Sequence, residues 1–185
     1  MMQRHRKTGM SHRYDVAIIG SGPAGLFAAI QLERLGFGGI AVIDRAAYPA
    51  GGLLNDGKLN FDHRIGIDLE ELKIDVPMAR HYIDDVKEIF VRFSRCRQVT
   101  FPGSNKKIDL LADTAQEHDV RFIAPEQWHW GTDNGKAAVE YLRGYLKKTV
   151  FLLKTEVETI EKGSGLGYRI VARKEEGKFR VEAPV

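Results

Sequence analysis

The chain has 185 residues, with 28 lysines and arginines against 25 aspartates and glutamates, which gives a formal charge of +3 at pH 7. Hydrophobic residues make up 43% and charged residues 29%, a composition that excludes a disordered tail, a collagen-like chain and a disulfide scaffold. The single cysteine, Cys96, cannot form an internal disulfide, so a cytoplasmic setting is expected rather than a secreted one.

Basic side chains are concentrated at the N-terminus, directly before an apolar stretch over residues 16–32. This arrangement imitates a signal peptide, but Pro23 and three glycines interrupt the stretch and no clear cleavage site follows. The same interruptions argue against a membrane span, which needs roughly 20 mostly apolar residues. We therefore predict that residues 1–13 are a disordered basic tail, and we expect neither a membrane nor nucleic acid as a partner.

The segment after this tail predicts a strand, a helix and a second strand. Tyr14 to Ile19 is a compact apolar run typical of a buried parallel strand. Pro23 to Leu35 predicts a helix, because proline suits the first helical turn and the following Gly36 suits the end. Ile40 to Ile43 predicts a second buried strand that ends at Asp44. This order is typical of a right-handed βαβ crossover.

The middle of the chain predicts a long loop and then helices. Residues 48–68 are rich in Gly, Asn and Asp and favour a loop, whose length is usually associated with function. An amphipathic helix is predicted over residues 77–95, with an apolar face of Met78, Tyr82, Val86, Ile89, Phe90 and Phe93. A further helix is expected from a Ser104 cap to about His118, followed by an extended segment over residues 120–124.

The last part of the chain predicts one more helix and a small antiparallel meander. The helix is expected to be capped by Thr132 or Asp133 and to end near Lys148, with a buried stripe of Ala137, Ala138, Tyr141, Leu142 and Tyr145. Strands are predicted at residues 150–154, 156–161, 168–173 and 179–182, with turns at residues 162–167 and 174–178. The expected fold is therefore a Rossmann-like α/β domain over residues 14–185: a parallel sheet with flanking helices, a small antiparallel meander and a helical insertion at about residues 68–118.

A glycine-rich pattern, G-x-G-x-x-G, occupies residues 20–25. The pattern alone is weak, but a predicted strand precedes it, a predicted helix begins at it, and Asp44 ends the next strand 19 residues after Gly25. In such a turn Gly20 permits the tight bend, Gly22 lets the backbone approach a pyrophosphate, and Gly25 lets the helix pack closely.

The start of the predicted helix then presents free N–H groups and a positive dipole end to phosphate charge. Asp44 is expected to accept hydrogen bonds from the ribose of adenosine and to oppose the 2′-phosphate of NADP. The alternative, a glycine turn that binds nothing, stays open. A second glycine-rich segment, residues 163–167, lies between two predicted strands and is interpreted as a hairpin turn.

Several segments resemble a known family, the two-dinucleotide-binding-domain flavoproteins, and more narrowly the FAD-dependent dehydrogenases of largely unassigned substrate. Residues 14–29 (YDVAIIGSGPAGLFAA) are similar to the FAD turn of that family, and residues 51–52 with 56–59 (DGKL) resemble its glycine pair and D-G-K-L loop. Residues 129–133 resemble its H-x-G-T-D segment, and residues 155–157 resemble the strand entry where a valine backbone bonds the adenine. The likeness spans about residues 14–175.

This resemblance implies FAD as the cofactor, with NAD as a possible alternative, and a function as the N-terminal portion of a flavin-dependent oxidoreductase of unknown substrate. Family members are longer, and a later strand completes their sheet before a substrate domain. The chain is therefore expected to be truncated, or to need a second polypeptide or another copy of itself to complete the sheet. Asp44 stands where the family often has glutamate, which is one methylene longer. The implied cofactor-binding residues are Gly20, Ser21, Gly22, Pro23, Ala24, Gly25, Asp44, Arg45, Gly51, Gly52, Lys58 and Val157.

Two further functions remain open: a non-catalytic module that binds FAD, NAD or ADP, and a scaffold without nucleotide affinity. Lys58 is a candidate for tuning the flavin from the N1 and C2 carbonyl side, or a solvated lysine in a turn. His129 is a candidate acid or base, or a packed histidine between two tryptophans. Asp133 favours a helix cap over a proton carrier, and Cys96 lacks a resolving partner. No catalytic residue is assigned, and no metal-ligand spacing is present.

Overall fold

A computed structural model describes residues 11–49, 51–54, 57–66, 68–93, 99–101, 105–129, 131–163 and 167–184. The strands are β1 (Ser11–Arg13), β2 (Val16–Ile19), β3 (Ile40–Ile43), β4 (Lys58–Asn60), β5 (Val99–Phe101), β6 (Gln127–His129), β7 (Thr149–Leu152), β8 (Glu156–Lys162), β9 (Tyr168–Lys174) and β10 (Gly177–Ala183). The helices are α1 (Pro23–Arg34), α2 (Leu69–Leu72), α3 (Val76–Arg92), α4 (Lys106–Glu117) and α5 (Gly135–Arg143), with 3₁₀ turns at Gly51–Leu54 and Thr132–Asn134.

The chain divides into two compact units, where the sequence predicts a single domain over residues 14–185. The first unit combines residues 1–53 with residues 136–185, and the second comprises residues 54–135. The predicted helical insertion at about residues 68–118 corresponds to α2, α3 and α4, which all belong to the second unit. No helix among the described ranges is long and apolar enough to cross a bilayer.

A parallel sheet in the order β2-β3-β7 forms the centre of the first unit, as the sequence predicts. All four residues of β3 are buried, because a strand between two neighbours and under a helix has both faces covered. Ala29 of α1 packs with Ile40 and Val42 in one buried cluster. The strand, helix and strand over residues 16–43 therefore confirm the βαβ prediction, and the fold is mixed α/β.

A second sheet in the first unit has the order β1-β10-β9-β8. β8, β9 and β10 form the predicted antiparallel meander, in which Lys162 of β8 pairs with Tyr168 of β9. The predicted disordered tail is wrong for residues 11–13, since these residues form β1 and pair in parallel with Arg180 to Glu182 of β10. Pairing between strands that are far apart in the sequence leaves no local sequence pattern from which it could be predicted.

The second unit contains a small antiparallel sheet in the order β4-β6-β5 together with α2, α3 and α4. Here the predictions are less accurate. The expected loop over residues 48–68 includes a 3₁₀ turn and β4, and the extended segment lies at residues 127–129 rather than 120–124. Asn105 caps α4 by accepting from the N–H groups of Lys107 and Ile108, whereas the expected cap, Ser104, lies outside the described residues.

Two helices bury the predicted face in part: Ile89 and Phe90 of α3, Phe93 directly after it, and Ala138 and Leu142 of α5 are buried as expected. In α3, Ala79 is buried, whereas Met78 and Tyr82 are 44% and 51% exposed. In α5, Val139 is buried and Ala137 is exposed, and the helix ends at Arg143 instead of continuing to Lys148. The backbone tightens there, because the N–H groups of residues 145 and 146 bond carbonyls only three positions back. The spacing of apolar residues predicts that one face of a helix is buried. The same spacing also fits a face shifted by one residue, so it does not decide which of two neighbouring residues is covered.

The Glu33 carboxylate ties the last turn of α1 to the start of β7. It accepts hydrogen bonds from the N–H groups of Lys147 and Lys148, both at 2.9 Å, and from the Thr149 hydroxyl at 2.7 Å. Burial alone would raise the pKa of Glu33, but the hydrogen bonds from residues 147 to 149 outweigh it and hold the pKa below its ordinary value. The ionised carboxylate therefore stabilises the folded first unit.

We expect Glu33→Gln to lower the free energy of unfolding by about 1–3 kcal/mol at pH 7, because an amide repels at least one of these donors. A carboxyl with a depressed folded pKa stabilises above its unfolded pKa, about 4.3, and this stabilisation is lost as the pH falls through the folded value. The difference between wild type and variant in urea denaturation should thus shrink from pH 7 to pH 3. Glu175→Gln, in the exposed β9–β10 turn, is the matched control. A penalty that does not change with pH would contradict this account.

Candidate functional site

A cleft of about 340 Å³ opens at the carboxyl ends of β2 and β3, within the first unit. Open α/β sheets bind ligands at this end of their parallel strands. The cleft brings together four of the residues predicted from sequence: Gly20, Asp44, Arg45 and Val157. Its remaining lining residues are Ile19, Ile43, Thr155 and Glu156.

The three glycines of the turn meet different requirements. Gly20 has φ +103°, a conformation that L side chains rarely adopt. A Cβ on Gly25 would lie 1.9 Å from the Gly20 carbonyl oxygen, so α1 touches the turn there. Gly22 has φ −70° and ψ −175°, and a Cβ would have only an ordinary 3.7 Å contact with Gly51 Cα. The backbone conformation therefore requires glycine at position 20 and close packing requires it at position 25, whereas neither requires glycine at position 22.

The first turn of α1 has no side-chain cap. Gly22 occupies the N-cap position and Pro23 follows it, whereas α2, α3 and α4 are capped by the side chains of Asp68, Asp75 and Asn105. The N–H groups at the start of α1 therefore lack the side-chain acceptor that the other three helices have. Backbone N–H groups and the positive end of a helix dipole are complementary to phosphate oxygens.

Asp44 links the end of β3 to the glycine turn. Its Oδ2 accepts from the N–H and the hydroxyl of Ser21, both at 2.6 Å, and its Oδ1 accepts from the N–H of Ala46 at 2.8 Å. Burial alone would raise the pKa of Asp44, but the hydrogen bonds from Ser21 and Ala46 outweigh it and lower the pKa below its ordinary value. An ionised carboxylate has about four lone-pair positions, so about one remains for a ribose hydroxyl.

The predicted glycine pair lies against the glycine turn of residues 20–25. Gly51 has φ +50°, and a Cβ there would lie 2.7 Å from Gly22 Cα. Gly52, the next residue, has open space around it. The 3₁₀ turn at residues 51–54 therefore adds a second backbone segment beside Gly22.

Sequence reasoning missed part of the cleft. Ile19, the last residue of β2, is 48% exposed, and Thr155 is only 1% exposed. The signal for Ile19 was its position directly before Gly20, and Thr155 and Glu156 belong to the segment that resembles the adenine-binding strand entry. Val157 lies on β8, the last strand of its sheet, so no further strand of the described chain pairs along the outer side of β8.

The remaining candidates belong to the second unit or lie outside the described residues. Lys58 on β4 pairs directly with His129 on β6. The neighbouring Trp128 is buried and makes an edge contact with Phe61 at a ring-centre distance of 4.7 Å. Asp133 lies in the 3₁₀ turn that leads into α5. Cys96 and Trp130 lie outside the described residues, and within the described ranges no group of three or more His, Cys, Asp or Glu side chains is arranged to hold a metal.

No family model and no curated protein matches the sequence. Solved structures do resemble it: an anhydrotetracycline hydroxylase from Streptomyces rimosus has a TM-score of 0.55 and 19% identity, with 94% of this chain and 30% of that chain covered. An ornithine N-hydroxylase from Kutzneria sp. 744 with FADred, NADP+ and L-orn has a TM-score of 0.52 and 21% identity, covering 94% and 36%. An aklavinone-11 hydroxylase in a ternary complex with FAD and aklavinone has a TM-score of 0.51 and 14% identity, covering 92% and 31%.

These similarities show that the chain has the Rossmann-type α/β fold predicted from sequence, and two of the three structures contain FAD. The chain spans about a third of the length of each of these three proteins.

The two glycines at either side of Pro23 should respond differently to the same substitution. We expect Gly25→Ala to lower the free energy of unfolding by about 2 kcal/mol or more, because its Cβ has to displace the Gly20 carbonyl. Gly22→Ala should change it by less than about 1 kcal/mol, since its backbone and surroundings accept a methyl group. Urea denaturation of both variants tests this, and an equal loss in the two would contradict the assigned roles.

Proposed function

We propose that this chain is the FAD-binding N-terminal portion of a flavin-dependent oxidoreductase. The observation that carries the proposal is the uncapped start of α1 beside Gly22, a glycine that the protein's own packing does not require. The flavoprotein fold supports FAD as the ligand of this turn. Flavin, once bound, supplies electron transfer, while the protein orients it and adjusts its surroundings.

Each part of the adenosine diphosphate half of the dinucleotide has complementary groups in the first unit. The N–H groups of Gly22, Ala24 and Gly25 at the start of α1 suit the pyrophosphate, and Gly51 and Gly52 leave room beside it. The remaining lone pair of Asp44 suits one ribose hydroxyl, and the apolar surface of Ile19 suits the adenine face. The backbone of Val157, on the edge strand β8, is proposed to bond the adenine edge.

Arg45 and Lys58 are proposed to act through their charge. Arg45 lines the cleft next to Asp44, where a guanidinium favours the anionic dinucleotide. Lys58 belongs to the second unit, and its proposed role is to stabilise the anion of the reduced flavin. Under the same proposal, the complete enzyme also has a substrate and an electron acceptor, and any second polypeptide would complete the sheet.

A non-catalytic dinucleotide module is the second candidate function. The described cleft carries complementary groups only for the adenosine diphosphate half, which FAD and NAD have in common. A protein that uses this half alone would bind FAD, NAD and ADP with similar affinity and would show no flavin-specific contact. Comparing the three ligands therefore separates the two candidates.

Gly22→Ala should abolish most FAD binding without unfolding the protein, because its methyl group occupies the space beside the pyrophosphate. We expect the purified wild type to bind FAD, and the variant to bind it at least about tenfold more weakly. Flavin absorbance after reconstitution, and thermal shifts with FAD, NAD and ADP, measure this. Gly38→Ala is the matched control, since that glycine also has open space and no positive φ.

Failure of FAD, NAD and ADP alike to bind the folded wild type would overturn the proposal. Equal thermal shifts with all three ligands would favour the non-catalytic module instead.

Asp44→Asn should weaken FAD binding by about tenfold, because it removes the anionic acceptor that holds both Ser21 and the ribose. Since the pKa of Asp44 is held low, the wild-type affinity should not change between about pH 8 and pH 5. Fluorescence titration with FAD over this pH range measures both effects. Asp113→Asn, on the exposed surface of α4, is the control. An unchanged affinity in Asp44→Asn would exclude the ribose contact.

A further inference from the structure

The second unit contains a cavity of about 500 Å³ that the proposed nucleotide site does not use. The loop after β4 forms one wall with Phe61, Asp62, His63 and Arg64, and one face of α3 forms the other with Arg80, Ile83 and Asp84. Five of these seven lining residues are ionisable. The lining is thus mainly charged, in contrast to the mainly apolar lining of most ligand pockets, so a ligand bound here has to carry charge itself.

The loop wall is held in place by its own contacts. The Asp62 carboxylate accepts from the N–H of Arg64 at 2.9 Å and from its guanidinium at 2.9 Å and 2.5 Å. The guanidinium of Arg64 lowers the pKa of Asp62 to about 2, against a smaller effect of burial. Asp62 and Arg64 therefore neutralise each other and contribute little net charge to the cavity.

Both walls of the cavity also contact Glu126, the residue directly before β6. Lys87, one turn after Asp84 on α3, pairs with the Glu126 carboxylate at 2.7 Å and lies 5.5 Å from the centre of the Phe61 ring. The N–H of Phe61 donates to the carbonyl of Glu126 at 3.0 Å. The cavity is thus preformed by contacts that do not involve Arg80 or Asp84.

Arg80 and Asp84 are the two lining charges left without a partner. They are four residues apart on α3 and therefore neighbours on one helix face. Within the part of the chain that the structure describes, neither makes a hydrogen bond or an ion pair. Beside them, the His63 ring is largely buried, with 16% of its side chain exposed, and its Nδ1 lies 3.9 Å from Asp62.

These charges select the ligand. A simple anion would be attracted by Arg80 but repelled by Asp84, and a simple cation would meet the reverse. A zwitterion satisfies both, with its carboxylate on Arg80 and its ammonium group on Asp84. The rings and methyl groups of Phe61 and Ile83 add apolar surface for a side chain. We propose that this cavity binds a free α-amino acid with an apolar side chain.

The proposal does not depend on FAD binding, because all lining residues belong to the second unit. Its probes are L-leucine, 4-methylpentanoate, which lacks the amino group, and 3-methylbutylamine, which lacks the carboxylate. In amide NMR spectra of the full chain, leucine should cause saturable shifts at residues 61–64 and 80–84. Each analogue should bind at least about tenfold more weakly than leucine.

Two variants test the assigned contacts, and both residues are exposed enough for the fold to tolerate the change. Arg80→Gln and Asp84→Asn should each weaken leucine binding by about tenfold or more. Arg92→Gln, on the same helix but outside the cavity, is the matched control and should bind leucine like the wild type. FAD content should be unchanged in all three.

Absence of saturable leucine shifts would overturn the proposal, as would shifts that map away from the cavity. Equal binding of leucine and either analogue, or unchanged binding in both Arg80→Gln and Asp84→Asn, would also overturn it.

Discussion

The close contact between Gly25 and the Gly20 carbonyl determines where α1 begins. A Cβ at position 25 would lie 1.9 Å from that oxygen, so only glycine lets the helix start directly on the turn after β2. With the helix in this position, its first N–H groups point at the carboxyl ends of β2 and β3 and have no side-chain acceptor. The position of the uncapped amides, and with it the whole candidate site, depends on this one backbone approach.

The sequence predicted the first unit well because its signals are local. Three local features specify the βαβ segment: a glycine at position 20, which adopts a positive φ, a proline in the first helical turn, and a buried apolar run. Each of them acts within a few residues. The meander was predictable for the same reason, since each hairpin joins neighbours in sequence. The pairing of β1 with β10 was missed, because it joins the two ends of the chain.

In the second unit the decisive interactions are less local, and the predictions were correspondingly weaker. β5 and β6 are short strands that pair with each other, although α4 separates them in sequence. Neither shows an alternation of apolar and polar residues that would distinguish it from a loop. The buried face of α3 includes Ala79 rather than Met78, because contacts with the rest of the unit fix which side of an amphipathic helix is covered. The glycine pattern predicted Gly20 and Asp44 as cleft residues. It did not predict the hydrogen bonds from Ser21, because the pattern accepts any residue at that position.

Those hydrogen bonds end on the carboxylate of Asp44, at a position where the family that the sequence resembles often has glutamate. The shorter Asp44 side chain reaches the turn itself, and the N–H and hydroxyl of Ser21 both lie 2.6 Å from Oδ2. The carboxylate is thereby fixed in the ionised state and in one orientation, so its remaining lone pair is positioned in advance for a hydroxyl group. The same fixed negative charge disfavours a second phosphate at that place. Asp44 therefore holds the glycine turn through Ser21, and under the proposed function the same carboxylate would contact the ribose.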